Sequence, residues 1–233
     1  MQKKPSAENG IFKRVKNDYD FRTVAFSALS FLISLIFIFY NGFIGIANKN
    51  AWSVSIAVYY ALLTCIRIYI VSAELKFLKN KYDDKRKEAA RINVYFAQSI
   101  LLLIIDLALI TPISLMTMQQ KKINYTTVTA IVSAAYTTYK ITTASINFKK
   151  TRKASNLSVK ALRNVNFIDA LVSVLSLQYV LIMTFGGSIE DDMLVLCCVV
   201  TFAIWLFIIV ISIKSLVQTV KIRKAFKLQK LSE

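Results

Sequence analysis

Residues 193–213 read MLVLCCVVTFAIWLFIIVISI, twenty-one positions without an acidic or basic side chain. At a rise of about 1.5 Å per residue, a helix of that length covers roughly 30 Å, the hydrocarbon thickness of a bilayer. The run is continuous rather than alternating, so it does not read as an outer-membrane strand. In lipid the backbone must satisfy its own hydrogen bonds, and a helix does so within one segment. Glu190-Asp191-Asp192 bound the run on one side and Lys214 on the other.

Working outward, apolar windows long enough to cross a bilayer recur at 22–46, 52–76, 92–118, 123–148, 163–186 and 192–214. The expected fold is therefore all-α, a polytopic integral membrane protein of six transmembrane helices. Composition agrees: 56% of the 233 residues are hydrophobic, 18% are charged, and the mean hydropathy is +0.52. That leaves no room for a sizeable soluble domain. The expected organisation is a basic cytoplasmic N-terminus over 1–21, a six-helix domain over 22–214, and a basic amphipathic tail over 215–233. The first window is too long for a cleavable signal sequence and lacks a small-residue cleavage site, so it is expected to remain.

The net charge of +17 is distributed in a way that sets direction. Cytoplasmic connections of membrane proteins are enriched in Lys and Arg. Here 25 of the 30 basic residues fall before the first window, between the second and third, between the fourth and fifth, or after the sixth. The opposite connections hold Lys49, Lys121 and Lys122, together with the acidic Glu190-Asp191-Asp192. Both termini are thus expected in the cytoplasm of a multi-pass cell-membrane protein, with anionic lipids facing the basic segments. Short outer connections predict antiparallel hairpins from windows 1–2, 3–4 and 5–6. The basic segments are too short to fold as nucleic-acid readers, so no nucleic-acid partner is expected. A partner subunit or a homo-oligomer is left open. Abundant Lys, Ile and Asn suggest an AT-rich bacterial genome.

A weak repeat of about 70 residues runs beneath the hairpins. The odd windows open on Arg22-Thr-Val24-Ala-Phe26, Arg91-Ile-Asn-Val94-Tyr-Phe96 and Arg163-Asn-Val165-Asn-Phe167. Topology alone also places Arg, Val and Phe at such a boundary, so duplication and coincidence stand at even weight. Gly42 and Gly45 suit close packing near the outer end of the first window.

Four ionisable residues lie inside windows: Arg67, Asp106, Lys140 and Asp169. A lone charge in hydrocarbon is costly, so such groups pair, face a protein interior and often mark function. Helix rise places Arg67 and Lys140 roughly 13 Å from the cytoplasmic ends of their windows, Asp169 roughly 9 Å and Asp106 roughly 22 Å. The expectation is an inner-leaflet cluster of Arg67, Lys140 and Asp169, with Gln98 adding amide hydrogen bonds, Asp106 reaching Lys140 from above, and Tyr136 beside it. The fourth window carries Tyr136, Thr137, Thr138, Tyr139, Thr142, Thr143 and Ser145, and this polarity predicts a central position.

Much chemistry is excluded. There is no histidine, and Cys65, Cys197 and Cys198 all lie within apolar windows, so neither a metal centre nor a disulfide is expected. No phosphate-binding glycine loop and no hydrolase motif occurs, and neither an enzyme nor a cofactor is expected. The remaining reading is a small membrane transporter, or the membrane-embedded subunit of one, that binds a polar or anionic solute at Arg67, Gln98, Asp106, Tyr136, Lys140 and Asp169. The alternative is a non-transporting scaffold or accessory subunit whose intramembrane charges fix helix packing.

Overall fold

The computed structural model describes residues 34–47, 49–79, 84–118, 127–150, 157–185 and 191–231, and every regular element among them is an α-helix. These are α1 (Ser34–Ala47), α2 (Ala51–Lys79), α3 (Asp84–Ala108), α4 (Ile110–Met118), α5 (Thr127–Lys150), α6 (Leu157–Phe185) and α7 (Asp191–Leu231). The expected N-terminal segment, the first half of the first window and the connections after α4, α5 and α6 lie outside the described residues. Four helical stretches are long and apolar enough to cross a membrane: Ala51–Phe77, Arg86–Leu115, Leu157–Phe185 and Leu196–Gln229. An all-helical chain of this kind is compatible with a multi-pass membrane protein.

The axis of the bundle is α6. Its burial runs almost all the way round between Ser158 and Ser173, the pattern of a helix surrounded by others. It packs against α2, α3, α5 and α7. By contrast, α7 is peripheral and turns its large apolar side chains outward: Val199, Phe202, Leu206, Phe207, Val210, Ile213 and Val217. Its buried stripe runs through Thr201, Ile208, Ile211, Ser212, Ser215 and Thr219. This inversion of the water-soluble pattern is what lipid imposes, because small and polar residues let helices approach and bond while tails solvate the rest.

One expected window is two helices. The third is divided at Leu109 into α3 and α4, and Pro112 supplies the cause. It has no N–H for the Ala108 carbonyl four residues back, and its ring crowds that turn. Hydrogen bonds from the Leu109 N–H to the Ile105 carbonyl (3.1 Å) and from the Ile113 N–H to the Leu109 carbonyl (3.3 Å) carry the chain across the break.

The turn between α1 and α2 is a tight C-cap. The Asn50 N–H donates to the Gly45 carbonyl (2.8 Å) and the Lys49 N–H to the Ile46 carbonyl (3.2 Å), with Lys49 in the left-handed region at φ 50°. These are the two bonds of a Schellman motif. The Asn50 side chain then caps α2 by accepting from the Ser53 N–H (3.3 Å) and donates to the Tyr179 hydroxyl on α6 (2.6 Å). At Gly45 α1 passes close to α2: a Cβ there would lie 2.7 Å from Val54 Cγ2 and 2.8 Å from the Val54 backbone nitrogen.

Three expectations are corrected. The polar fourth window is not central, since α5 packs chiefly on α6 at the edge of the bundle. Its outward face holds Val128, Ile131, Val132, Tyr139 and Ile146 together with Thr138 and Thr142. Those threonines donate to carbonyls one turn back, Thr138 to Ala134 (2.9 Å) and Thr142 to Thr138 (2.8 Å), so their hydroxyls need no neighbouring helix. The hairpin of windows 3 and 4 is not a main packing unit either, because α3 packs on α2, α6 and α7 while α5 takes α6. Lastly, Arg163, expected among the cytoplasmic loop cations, is 2% exposed within α6.

Candidate functional site

Three helices bring together a charged cluster at the axis. Asp169 on α6 is paired through one carboxylate oxygen, Oδ2, to Arg67 of α2 and to Lys140 of α5, the latter at 2.8 Å. Arg67 also donates from Nη1 to Ser34 Oγ on α1 (2.9 Å), so α1, α2 and α6 meet at one guanidinium. Lys140 donates to Ser173 Oγ (2.8 Å), one turn above Asp169, and that serine donates in turn to the Asp169 carbonyl (2.8 Å). The Tyr60 hydroxyl reaches the same serine at 3.3 Å.

Two rings enclose the ammonium group. Lys140 Nζ lies 5.3 Å from the Tyr60 ring centroid and 5.6 Å from that of Tyr136, within cation–π range. Tyr136 is itself stacked on Phe37 of α1 at 4.7 Å. Among the described residues the cluster thus holds two cations to one carboxylate, a formal excess of one positive charge where water is scarce. Placing Lys140 beside Asp169 follows from the packing of α5 on α6 rather than on α3.

Asp106 stands apart from this group. Its carboxylate accepts the Tyr59 hydroxyl at Oδ1 (2.8 Å) and the Ser212 hydroxyl at Oδ2, and Trp205 Nε1 donates to its backbone carbonyl (3.0 Å). The expected reach from Asp106 to Lys140 is not formed.

Gln98 is level with the cluster but not bonded into it. Tyr59 meets Asp106 and Glu74 meets Arg91, which fixes the antiparallel register of α2 against α3. Gln98, two turns along α3 from Arg91, is therefore opposite Arg67, two turns along α2 from Glu74. It is 0% exposed, and neither its Nε2 nor its Oε1 has a hydrogen-bond partner among the described residues. Asp169 Oδ1 is likewise unpartnered. The expected amide bonds to the cluster are therefore absent, and the capacity for them remains.

Two further polar groupings escaped the reading of the sequence. At the end of α2 distant from Asn50, Arg91 grips Glu74 with Nη2 to Oε1 at 2.5 Å and Nε to Oε2 at 3.3 Å, and Ser158 donates to Oε2 at 2.7 Å. Glu74 and Arg91 stand equally far along the chain from Tyr59 and Asp106, and that equal spacing was the available signal. Between α3 and α7, Ser99 bonds Ser215 (3.1 Å) and Thr219 (3.2 Å), and Asn164 of α6 donates to Ser215 (3.2 Å). The spacing of Ser212, Ser215 and Thr219 on one face of α7 carried that signal.

Among the described residues no group of His, Cys, Asp and Glu could hold a metal ion, and Cys65, Cys197 and Cys198 are free thiols. The chain matches no protein-family model and no curated protein sequence.

Proposed function

We propose that the chain is a six-span membrane protein with both ends in the cytoplasm that binds a polar, anionic solute at the Arg67–Lys140–Asp169 cluster and moves it across the membrane, alone or as the embedded subunit of a transporter. The observation that carries this reading is Gln98. A fully buried amide with neither atom bonded costs about 1–3 kcal/mol per unsatisfied group, and a polar guest between α2, α3 and α6 offsets that cost. The two-to-one ratio of cations to carboxylate gives the sign of the guest. Duplicated hairpins belong to the same reading, since Arg67 and Lys140 lie at equal depth in the second and fourth windows and both bind Asp169.

A second reading has its own support. Arg67 and Asp169 are 2% and 1% exposed and bonded directly to each other, as a pair that only fixes helix register would be. On that reading the chain is a scaffold or accessory subunit.

Thermal unfolding of the detergent-purified protein against small anions, zwitterions and cations separates the two. A ligand of the folded state raises the melting temperature with concentration. An anion that stabilises wild type but not Lys140→Met or Gln98→Leu supports transport. If no compound stabilises wild type, the transport reading falls and the scaffold stands.

A further inference from the structure

Among the described residues Asp106 and Asp169 are the two most deeply buried acids, and the packing treats them unequally. Asp169 takes two of the buried cations, Arg67 and Lys140. Asp106 takes none: among the described residues its carboxyl meets hydroxyl groups alone, those of Tyr59 and Ser212. Its exposure is 0%. An ionised carboxylate there would be an uncompensated charge, which the interior of a protein or bilayer opposes by several kcal/mol. Two hydroxyl bonds do not replace a countercharge.

The groups facing Asp106 offer no other compensation. From α2 come Tyr59 and the adjacent Tyr60, with Arg67 two turns further on and committed to Asp169. The nine residues of α4 include neither acid nor base. From α6 the nearest charge is Asp169, of like sign and already neutralised. From α7 come Ser212 and Trp205, and 193–213 carries no acidic or basic residue. We propose that Asp106 binds a proton at neutral pH and is the proton-exchange site of the helical domain. As a neutral acid its Oδ2–H donates to Ser212 Oγ while Oδ1 still accepts from Tyr59, so every partner is retained and no charge is buried.

Its position suits reversible exchange. Asp106 is three residues before the break at Leu109, and its carbonyl is held across the helix interface by Trp205. Parting of α7 from the α3–α4 junction removes the Ser212 and Trp205 contacts together and admits water. The acid then releases H⁺ to that water and becomes a carboxylate, and reclosure takes the proton back. This assignment does not depend on the anion site, since the two acids share no partner.

Infrared spectroscopy of the purified protein reads it directly. At neutral pH the wild type should show a protonated-carboxyl C=O stretch that shifts in D₂O. Asp106→Asn should remove it, and Asp169→Asn should leave it in place. Ser212→Ala and Tyr59→Phe, which keep the acid but delete one hydrogen bond each, should move the band to higher frequency. Absence of such a band in the wild type overturns the proposal. So does a band that is indifferent to the Ser212 and Tyr59 substitutions, an outcome that remains readable if Asp106→Asn fails to fold.

Discussion

Removing the carboxylate at residue 169 and removing the ammonium at residue 140 should have very different consequences, although both break the same contact. Asp169→Asn leaves Arg67 and Lys140 buried side by side without the carboxylate that both of them bind. Breaking a buried pair so that charge is left uncompensated costs about 3–5 kcal/mol, and here two cations are abandoned. For a chain of this size about 2–4 °C of melting temperature accompanies each kcal/mol, so Asp169→Asn should melt about 10 °C or more below wild type. Lys140→Met removes the excess cation, preserves the Arg67–Asp169 pair and keeps the volume of the aliphatic stem. A swap of that kind costs under about 1.5 kcal/mol, and relief of the unbalanced charge offsets part of it. Its melting temperature should stay within about 5 °C of wild type. Thermal unfolding in one detergent, followed by tryptophan fluorescence from Trp52 and Trp205, compares the three proteins directly. Equal losses from both substitutions would refute the reasoning, because Lys140 would then be a required half of a balanced pair rather than a surplus charge.

Gly45→Ala should destabilise by about 1–3 kcal/mol, as overpacking does, because the new Cβ meets the backbone nitrogen of Val54 at 2.8 Å. Gly42→Ala should be neutral or stabilising, since the nearest atom there is Ala57 Cβ at 3.9 Å, and thermal melts of the two variants check the contrast. Lys49→Gly should stabilise by about 1 kcal/mol because a side chain is costly in the left-handed region, read as a higher melting temperature. Glu74→Gln weakens the bonds from Arg91 and Ser158 for a loss of about 1 kcal/mol, the Arg91 side chain being 28% exposed. Hydrogen exchange at the adjoining ends of α2, α3 and α6 should rise in that variant.

The helical class and four of the interior charges, Arg67, Asp106, Lys140 and Asp169, were legible because each rests on a local rule: a long window free of charge must be a helix in lipid, and a charge inside such a window must be neutralised. The pairing of Arg67 with Asp169 was within reach for that reason. That Lys140 would bind Asp169 alone, without Asp106, was not, because it depends on α5 lying against α6, and windows carry no record of neighbours. The polarity of α5 misled for a related reason. Thr138 and Thr142 satisfy themselves on their own helix, so hydroxyl content did not report position. Gln98 could be placed in the right layer by depth, yet its lack of a partner became visible only with the register set by Tyr59–Asp106 and Glu74–Arg91. Arg163 was assigned to a loop by the sign of its charge, and packing placed it in the axis helix instead.

The edge position of α5 bears on how the protein is made. This helix has the length to cross a bilayer but not the apolarity of the four strongest stretches, and it carries Lys140 near its middle. The carboxylate that Lys140 contacts, Asp169, is on α6, which leaves the ribosome later. A helix delivered to lipid in that condition is held poorly until its successor arrives. The two segments should therefore be released into the bilayer together, α6 supplying both the carboxylate and the apolar surface that α5 lacks. A ribosome stalled before residue 169 should leave α5 extractable from membranes, and one stalled after α6 should leave it integrated.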